Sequence, residues 1–124
     1  MQYVEALDYL YTHLPMYQRV GPAAYKKDLT NTLKLCAHLG DPQNTFHTIH
    51  VGGTNGKGSV SNMLCSVLME AGYTTGLYTS PHLLDFRERI RVDGQMCDTS
   101  FVVDFVEKMR PLIEEVQPSF LNLP

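Results

Sequence analysis

His50-Val51-Gly52-Gly53-Thr54-Asn55-Gly56-Lys57-Gly58-Ser59 decides how the rest of this chain is read. An apolar, β-branched run at 46–51 leads into it, and a run at 60–71 with apolar residues at helical spacing leaves it. Strand, glycine turn, lysine, hydroxyl and helix follow in the order of a phosphate-binding loop. Glycine lets the backbone curl so that successive N–H groups point inward. The helix start adds partial positive charge, and Lys57 reaches the outer phosphates. Backbone N–H groups from Thr54 to Ser59 are expected to hold phosphate. Lys57 is the expected catalytic cation, and Ser59 is expected to reach a phosphate or a magnesium ion.

On the other side of the loop helix, 74–79 reads as a second strand. Strand, loop, helix and strand together predict a right-handed parallel crossover, and hence an α/β fold. Ser80-Pro81-His82 ends that strand at its carboxyl end, where open α/β sheets bind ligands. Arg89 to Val92 alternates as a half-exposed strand closed by a turn at Asp93-Gly94.

Helices frame this unit. Residues 3–14 carry Val4, Leu7, Tyr11 and Leu14 on one stripe, and Pro15 ends them. A loop at 16–24 precedes a second helix over 25–39, with Leu29, Leu33, Cys36 and Ala37 inward. Gly40 is placed to cap that helix, as Gly72 is to cap the loop helix. In the loop helix, Val60, Met63, Leu64, Val67, Leu68 and Ala71 predict a wide buried face. A third amphipathic helix, capped by Thr99 or Ser100, buries Phe101, Val102, Phe105, Val106 and Met109 as core. Pro111 is expected to break or kink it, with Leu112, Ile113 and Val116 continuing the pattern. The domain reading is a helical segment, 1–44, packed on a nucleotide-binding unit, 45–124.

Composition narrows the class. The 124 residues, 44% hydrophobic and 19% charged, suit one soluble domain. A net charge of −3 argues against nucleic-acid and basic membrane-surface partners. No apolar run approaches the roughly 18–20 residues of a membrane span, and the N-terminus lacks a signal-peptide pattern, so a cytoplasmic location is expected. Cys36, Cys65 and Cys97 read as reduced small hydrophobes. His47 and His50 alternate on one strand face and read as half-buried structural residues. Asp85 and Glu88 do not read as a catalytic carboxylate pair.

The strict pattern G-x-x-x-x-G-K-[ST] fails here at Val51 and Gly58, and the hydroxyl comes one place late. The order Gly53-Thr54-Asn55-Gly56-Lys57-Gly58-Ser59 resembles the folylpolyglutamate and dihydrofolate synthases of the Mur ligase superfamily. Three further stretches share the resemblance: 17–21 (YQRVG), 77–83 (LYTSPHL) and 87–94 (RERIRVDG). It implies a P-loop-containing three-layer α/β/α fold with a largely parallel sheet. It also implies an ATP- and Mg2+-dependent ligase that joins L-glutamate to dihydropteroate or folate through an acyl phosphate. Ser80 is then expected to help bind magnesium alongside Ser59. His82, Arg87 and Arg89 are expected near the substrate.

Members of that family carry a later E-V-G-x-G-G segment and a C-terminal domain, which these 124 residues do not contain. The reading is therefore of an incomplete fold, inactive by itself and prone to self-association. Three alternatives stay open: an inactive ATP- or phosphate-binding fragment, a P-loop kinase, and a peptidoglycan-type Mur ligase, against which Gly58 argues.

Overall fold

In the computed structural model the described residues are 1–13 and 30–116. The expected loop at 16–24, the 17–21 stretch, the first turn of the second helix and the segment from 117 onward lie outside them. Among the described residues the order is α1 (Tyr3–His13), α2 (Thr30–His38), a 3-10 turn (Pro42–Asn44) and α3 (Lys57–Glu70). Then come β1 (Gly76–Tyr78), a second 3-10 turn (Phe86–Arg89), β2 (Ile90–Val92), β3 (Gln95–Met96) and α4 (Thr99–Val116).

Two compact units divide the chain: Met1–Thr48 with Val102–Pro124, and Ile49–Phe101. The first is helical. Its buried side chains are Ala6, Tyr9 and Leu10 of α1, Leu35 and Cys36 of α2, and Val102, Val106, Met109 and Ile113 of α4. The Tyr9 hydroxyl donates to the Arg110 carbonyl and the Glu114 carboxylate, each at 3.4 Å, and the N-terminal ammonium pairs with Glu107 at 3.3 Å. Arg110 stands over the Tyr9 ring at 4.9 Å.

Helix existence was legible here, and so was most of the α4 stripe, while the buried faces of α1 and α2 were only partly so. Val4 is exposed, and α1 instead turns Ala6, Tyr9 and Leu10 inward. Tyrosine fits this face because its ring is buried while its hydroxyl finds α4. On α2, Leu33 and Ala37 are exposed, and Leu35 joins Cys36 in the core. On α4, Phe101 is 52% exposed, and the buried stripe runs Val102, Val106, Met109, Ile113. That stripe carries the helix through Pro111, which neither ends nor splits it. Proline inside a helix costs about 3 kcal/mol. Each buried aliphatic on the stripe offsets about 1.5–3 kcal/mol of that.

Helix ends follow the glycines. After α2, Gly40 N–H donates to Ala37 at 3.1 Å and Asp41 N–H to Cys36 at 2.8 Å, with Gly40 at φ 83°. After α3, Gly72 N–H donates to Met69 and Tyr73 N–H to Leu68, both at 3.0 Å, with Gly72 at φ 93°. Both are complete Schellman motifs, which need a left-handed residue at the position each glycine fills.

The second unit holds α3 and a three-stranded sheet ordered β1-β2-β3. Its strands pair antiparallel, and the parallel crossover expected from 46–51 to 74–79 lacks its first strand. β1 and β2 are antiparallel, with Leu77 opposite Arg91, and β2 and β3 form a hairpin with Val92 opposite Gln95. Asp93 and Gly94, at φ 50° and 80°, make its two-residue turn, as the Asp-Gly signal foretold. Residues 46–51 form no strand. A parallel strand needs hydrogen-bonded neighbours and cover on both faces, and Phe46 and Ile49 are exposed. The α/β class holds, while the strand directions differ. Nor is the apolar face of α3 covered: Val60, Met63, Leu64 and Val67 are exposed, and of this helix Cys65 alone is buried.

Candidate functional site

The glycine loop sits at the start of α3. Gly56 is the residue before the first helical turn, with φ 79° and ψ 5°, a left-handed conformation that a side chain disfavours. It turns the chain so that α3 begins at Lys57. Val60 N–H makes the first intrahelical bond, to the Gly56 carbonyl at 2.9 Å. The N–H groups of Lys57, Gly58 and Ser59 therefore precede the helical ladder and face outward at its positive end. No side chain caps this helix start. Lys57 folds its ammonium back onto the Gly53 carbonyl, and Asn62 Nδ2 donates to the Gly58 carbonyl at 2.8 Å. Residues 52–60 are all exposed. A Cβ at Gly53, Gly56 or Gly58 would meet nothing within 4 Å, so the loop has open space in front of it.

These features suit a polyphosphate: several N–H donors, a cation and a glycine-lined open face. They suit magnesium only through hydroxyls, those of Ser59 and Ser80. Among the described residues no group of three His, Cys, Asp or Glu side chains could hold a metal ion. That is compatible with magnesium, which keeps several waters and binds through phosphates and few protein groups.

Ser80 is exposed and follows β1 by two residues, through a cis bond to Pro81. Thr79 anchors this end, its N–H donating to the Arg89 carbonyl at 3.2 Å. Beyond it, the segment to Arg89 is held by two carboxylates. Glu88 accepts the N–H groups of Leu83 and Leu84 at 2.9 Å and of Asp85 at 2.8 Å. Asp85 accepts Arg87 N–H at 2.9 Å, completing a capping box around the 3-10 turn. Held this way, Leu83 and Leu84 project almost fully into solvent, at 89% and 95% exposure.

The two arginines are engaged within the loop. Arg87 pairs with Asp85 at 3.0 Å and donates to the Cys97 carbonyl at 3.3 Å. Arg89, 4% exposed, donates from Nε to His82 Nδ1 at 2.9 Å and stands over the Phe86 ring. Burial and then the neighbouring Arg89 charge hold His82 below its usual pKa. The three backbone N–H groups at its carboxylate, Leu83 first, hold Glu88 below the usual carboxylate range. Burial pushes the Cys97 thiol up, opposed by Arg87.

Sequence reasoning set Asp85 and Glu88 aside as a catalytic pair and missed what they do. The spacing Asp85-x-x-Glu88 is a capping-box pattern and could have revealed it. His47 and His50 are exposed, not half-buried, because the strand expected to bury them does not form. Cys36, Cys65 and Cys97 are free thiols, the first two buried. No helix of the described residues is long and apolar enough to cross a membrane.

No family model matches the chain. Relatives do. The chain is 38% identical over 117 residues to the folylpolyglutamate synthase of Lacticaseibacillus casei, covering 94% of this chain and 26% of that one. It is 37% identical over 115 residues to a probable bifunctional folylpolyglutamate synthase/dihydropteroate synthase of Haloferax volcanii, covering 93% of this chain and 13% of that protein. Among solved structures, an FPGS–AMPPCP–folate complex superposes with a TM-score of 0.79 at 37% identity, covering 94% of this chain and 27% of that chain. The chain thus spans about a quarter or less of the length of these relatives.

Proposed function

We propose, taking as premise that this chain belongs to the folylpolyglutamate/dihydrofolate synthase family, that it supplies the ATP-phosphate-binding part of a ligase joining L-glutamate to dihydropteroate or folate. The observation that carries this is the start of α3. Left-handed Gly56 brings three outward N–H groups and Lys57 together at one helix terminus.

The chemistry such a loop serves is carboxylate activation. A substrate carboxylate oxygen attacks the γ-phosphorus of ATP and ADP departs, leaving an acyl phosphate. The glutamate nitrogen then attacks the acyl carbon, phosphate leaves, and the amine gives up a proton. Carboxylate oxygen is a poor leaving group, and phosphorylation makes it a good one. The N–H groups of Lys57, Gly58 and Ser59 hold phosphate oxygens, and Lys57 neutralises charge developing on the transferred phosphoryl group. Lys57 must leave the Gly53 carbonyl to do so. The Ser59 and Ser80 hydroxyls would hold Mg2+, which would supply charge neutralisation at the phosphates. His82, Arg87 and Arg89 belong to the substrate side, the arginines by fixing the shape of the 82–89 loop.

A second reading, nucleotide binding without turnover, is favoured by the uncovered apolar face of α3. Such a face also favours self-association of the chain, and the expected setting is cytoplasmic. The two readings separate in one assay of glutamate-dependent ADP release with dihydropteroate or tetrahydrofolate. Release that is lost in Lys57→Ala supports the ligase. Nucleotide binding with no release assigns the chain a binding role.

A further inference from the structure

Arg89 is the one charged side chain among the buried described residues. Burying a guanidinium is costly unless its N–H groups find acceptors. Its Nε–H goes to His82 Nδ1 at 2.9 Å, while its plane stands 5.6 Å from the Phe86 ring centroid. The His82 ring meets the same Phe86 edge-on at 5.8 Å. Three side chains thus fix one another's orientation.

The direction of the Arg89–His82 bond has a chemical consequence. A guanidinium carries donors and no acceptor, and it does not deprotonate in proteins. The nitrogen receiving Nε–H must therefore offer a lone pair, so Nδ1 carries no proton. An imidazole with a bare Nδ1 carries its single proton on Nε2.

We infer that Arg89 is a positioning residue that fixes His82 as the Nε2-protonated tautomer, so that the ring meets the substrate as a hydrogen-bond donor. The partner chemistry is a carbonyl or carboxylate oxygen. The placement of the 82–89 loop beside the substrate rests on the function proposed above. The tautomer does not. Arg89 was expected near the substrate from the sequence, whereas the geometry gives it an indirect role.

Long-range 1H–15N correlation spectra of the 124-residue chain test this, with His82 identified by its absence in His82→Gln. The expected pattern is an unprotonated Nδ1 and a protonated Nε2, with a scalar coupling across the hydrogen bond from Arg89 Nε. In Arg89→Met the coupling disappears and the two ring nitrogens move toward a tautomer average. Arg89→Lys, which keeps a donor cation, restores the bias. A protonated Nδ1, or a coupling-free wild type, overturns the inference even if no Arg89 variant folds. An unchanged tautomer in folded Arg89→Met overturns it too.

Folate is the probe for the donor role. It is expected to shift the His82 Nε2 resonance while Nδ1 stays unprotonated. A folate response in the Leu83, Leu84 and Asp85 amides that bypasses Nε2 overturns the donor role and leaves the ligase reading standing. No folate response anywhere, with the tautomer pattern intact, overturns the donor role through the failure of the ligase reading itself.

Discussion

Lys57, the first residue of α3, returns its ammonium to the carbonyl of Gly53, four residues earlier. The loop thereby satisfies its own cation while the helix-terminal N–H groups stay outward. A bound polyphosphate competes only with a neutral carbonyl for this lysine. Both bonds are charge-assisted through the ammonium, but phosphate adds the attraction of opposite charges, so the exchange favours phosphate.

Because that contact lies on the exposed surface, Lys57 contributes little to folding. Lys57→Met is expected to change stability by no more than about 0.5 kcal/mol, measured by urea unfolding without nucleotide. A larger loss would make the lysine a structural residue first.

Gly56 and Gly58 separate conformation from ligand access. Gly56→Ala forces a side chain into a left-handed position and is expected to cost about 1–2 kcal/mol, with no clash to add. Gly58 lies within α3 without a positive φ. Gly58→Ala is expected to stabilise the chain by about 0.5–1 kcal/mol while weakening nucleotide binding, because its methyl enters the face left open for phosphate. Thermal unfolding and nucleotide titration of both variants check the opposed signs.

Glu88 ties stability to pH. Its folded pKa lies below the ordinary value of 4.5 because three backbone N–H groups stabilise the carboxylate. Below the folded pKa both states are protonated and the contribution is absent. It appears as pH rises toward 4.5 and is complete above it. Glu88→Gln is expected to flatten stability against pH in that acidic window and to loosen the 83–85 amides in hydrogen exchange. An unaltered acid limb would remove Glu88 from the account of the loop.

The two units differ in how well they are covered. Ile113→Ala opens a cavity in the helical unit and is expected to cost about 2–5 kcal/mol, since Ile113 is buried. Val67→Ala on the exposed face of α3 is expected to change stability by no more than about 0.5 kcal/mol and to reduce concentration-dependent association. Urea unfolding and light scattering read the two effects.

Much of this was legible in the residues. Gly40 and Gly72 announced helix ends, Asp93-Gly94 a turn, and the Gly53–Ser59 order a glycine loop at a helix start. Those are local signals, each fixed by a few backbone angles. What failed was long-range. Periodicity puts apolar residues on a stripe, but it cannot say whether Val4 or Leu10 meets a neighbour. The 46–51 run has strand composition, yet strands are completed by partners, and the described residues supply none. Pro111 carries a breaking signal that buried Met109 and Ile113 outweigh. Arg87 and Arg89 were expected near the substrate, but a sequence cannot show that Arg89 is spent on His82.

The most direct test of the central claim is calorimetric titration of the chain with AMPPCP and Mg2+, beside Lys57→Ala of unchanged stability. Saturable one-to-one binding is expected in the parent chain, with at least a tenfold loss, about 1.4 kcal/mol, in the variant. Equal binding by both, or none by the folded parent chain, would contradict it.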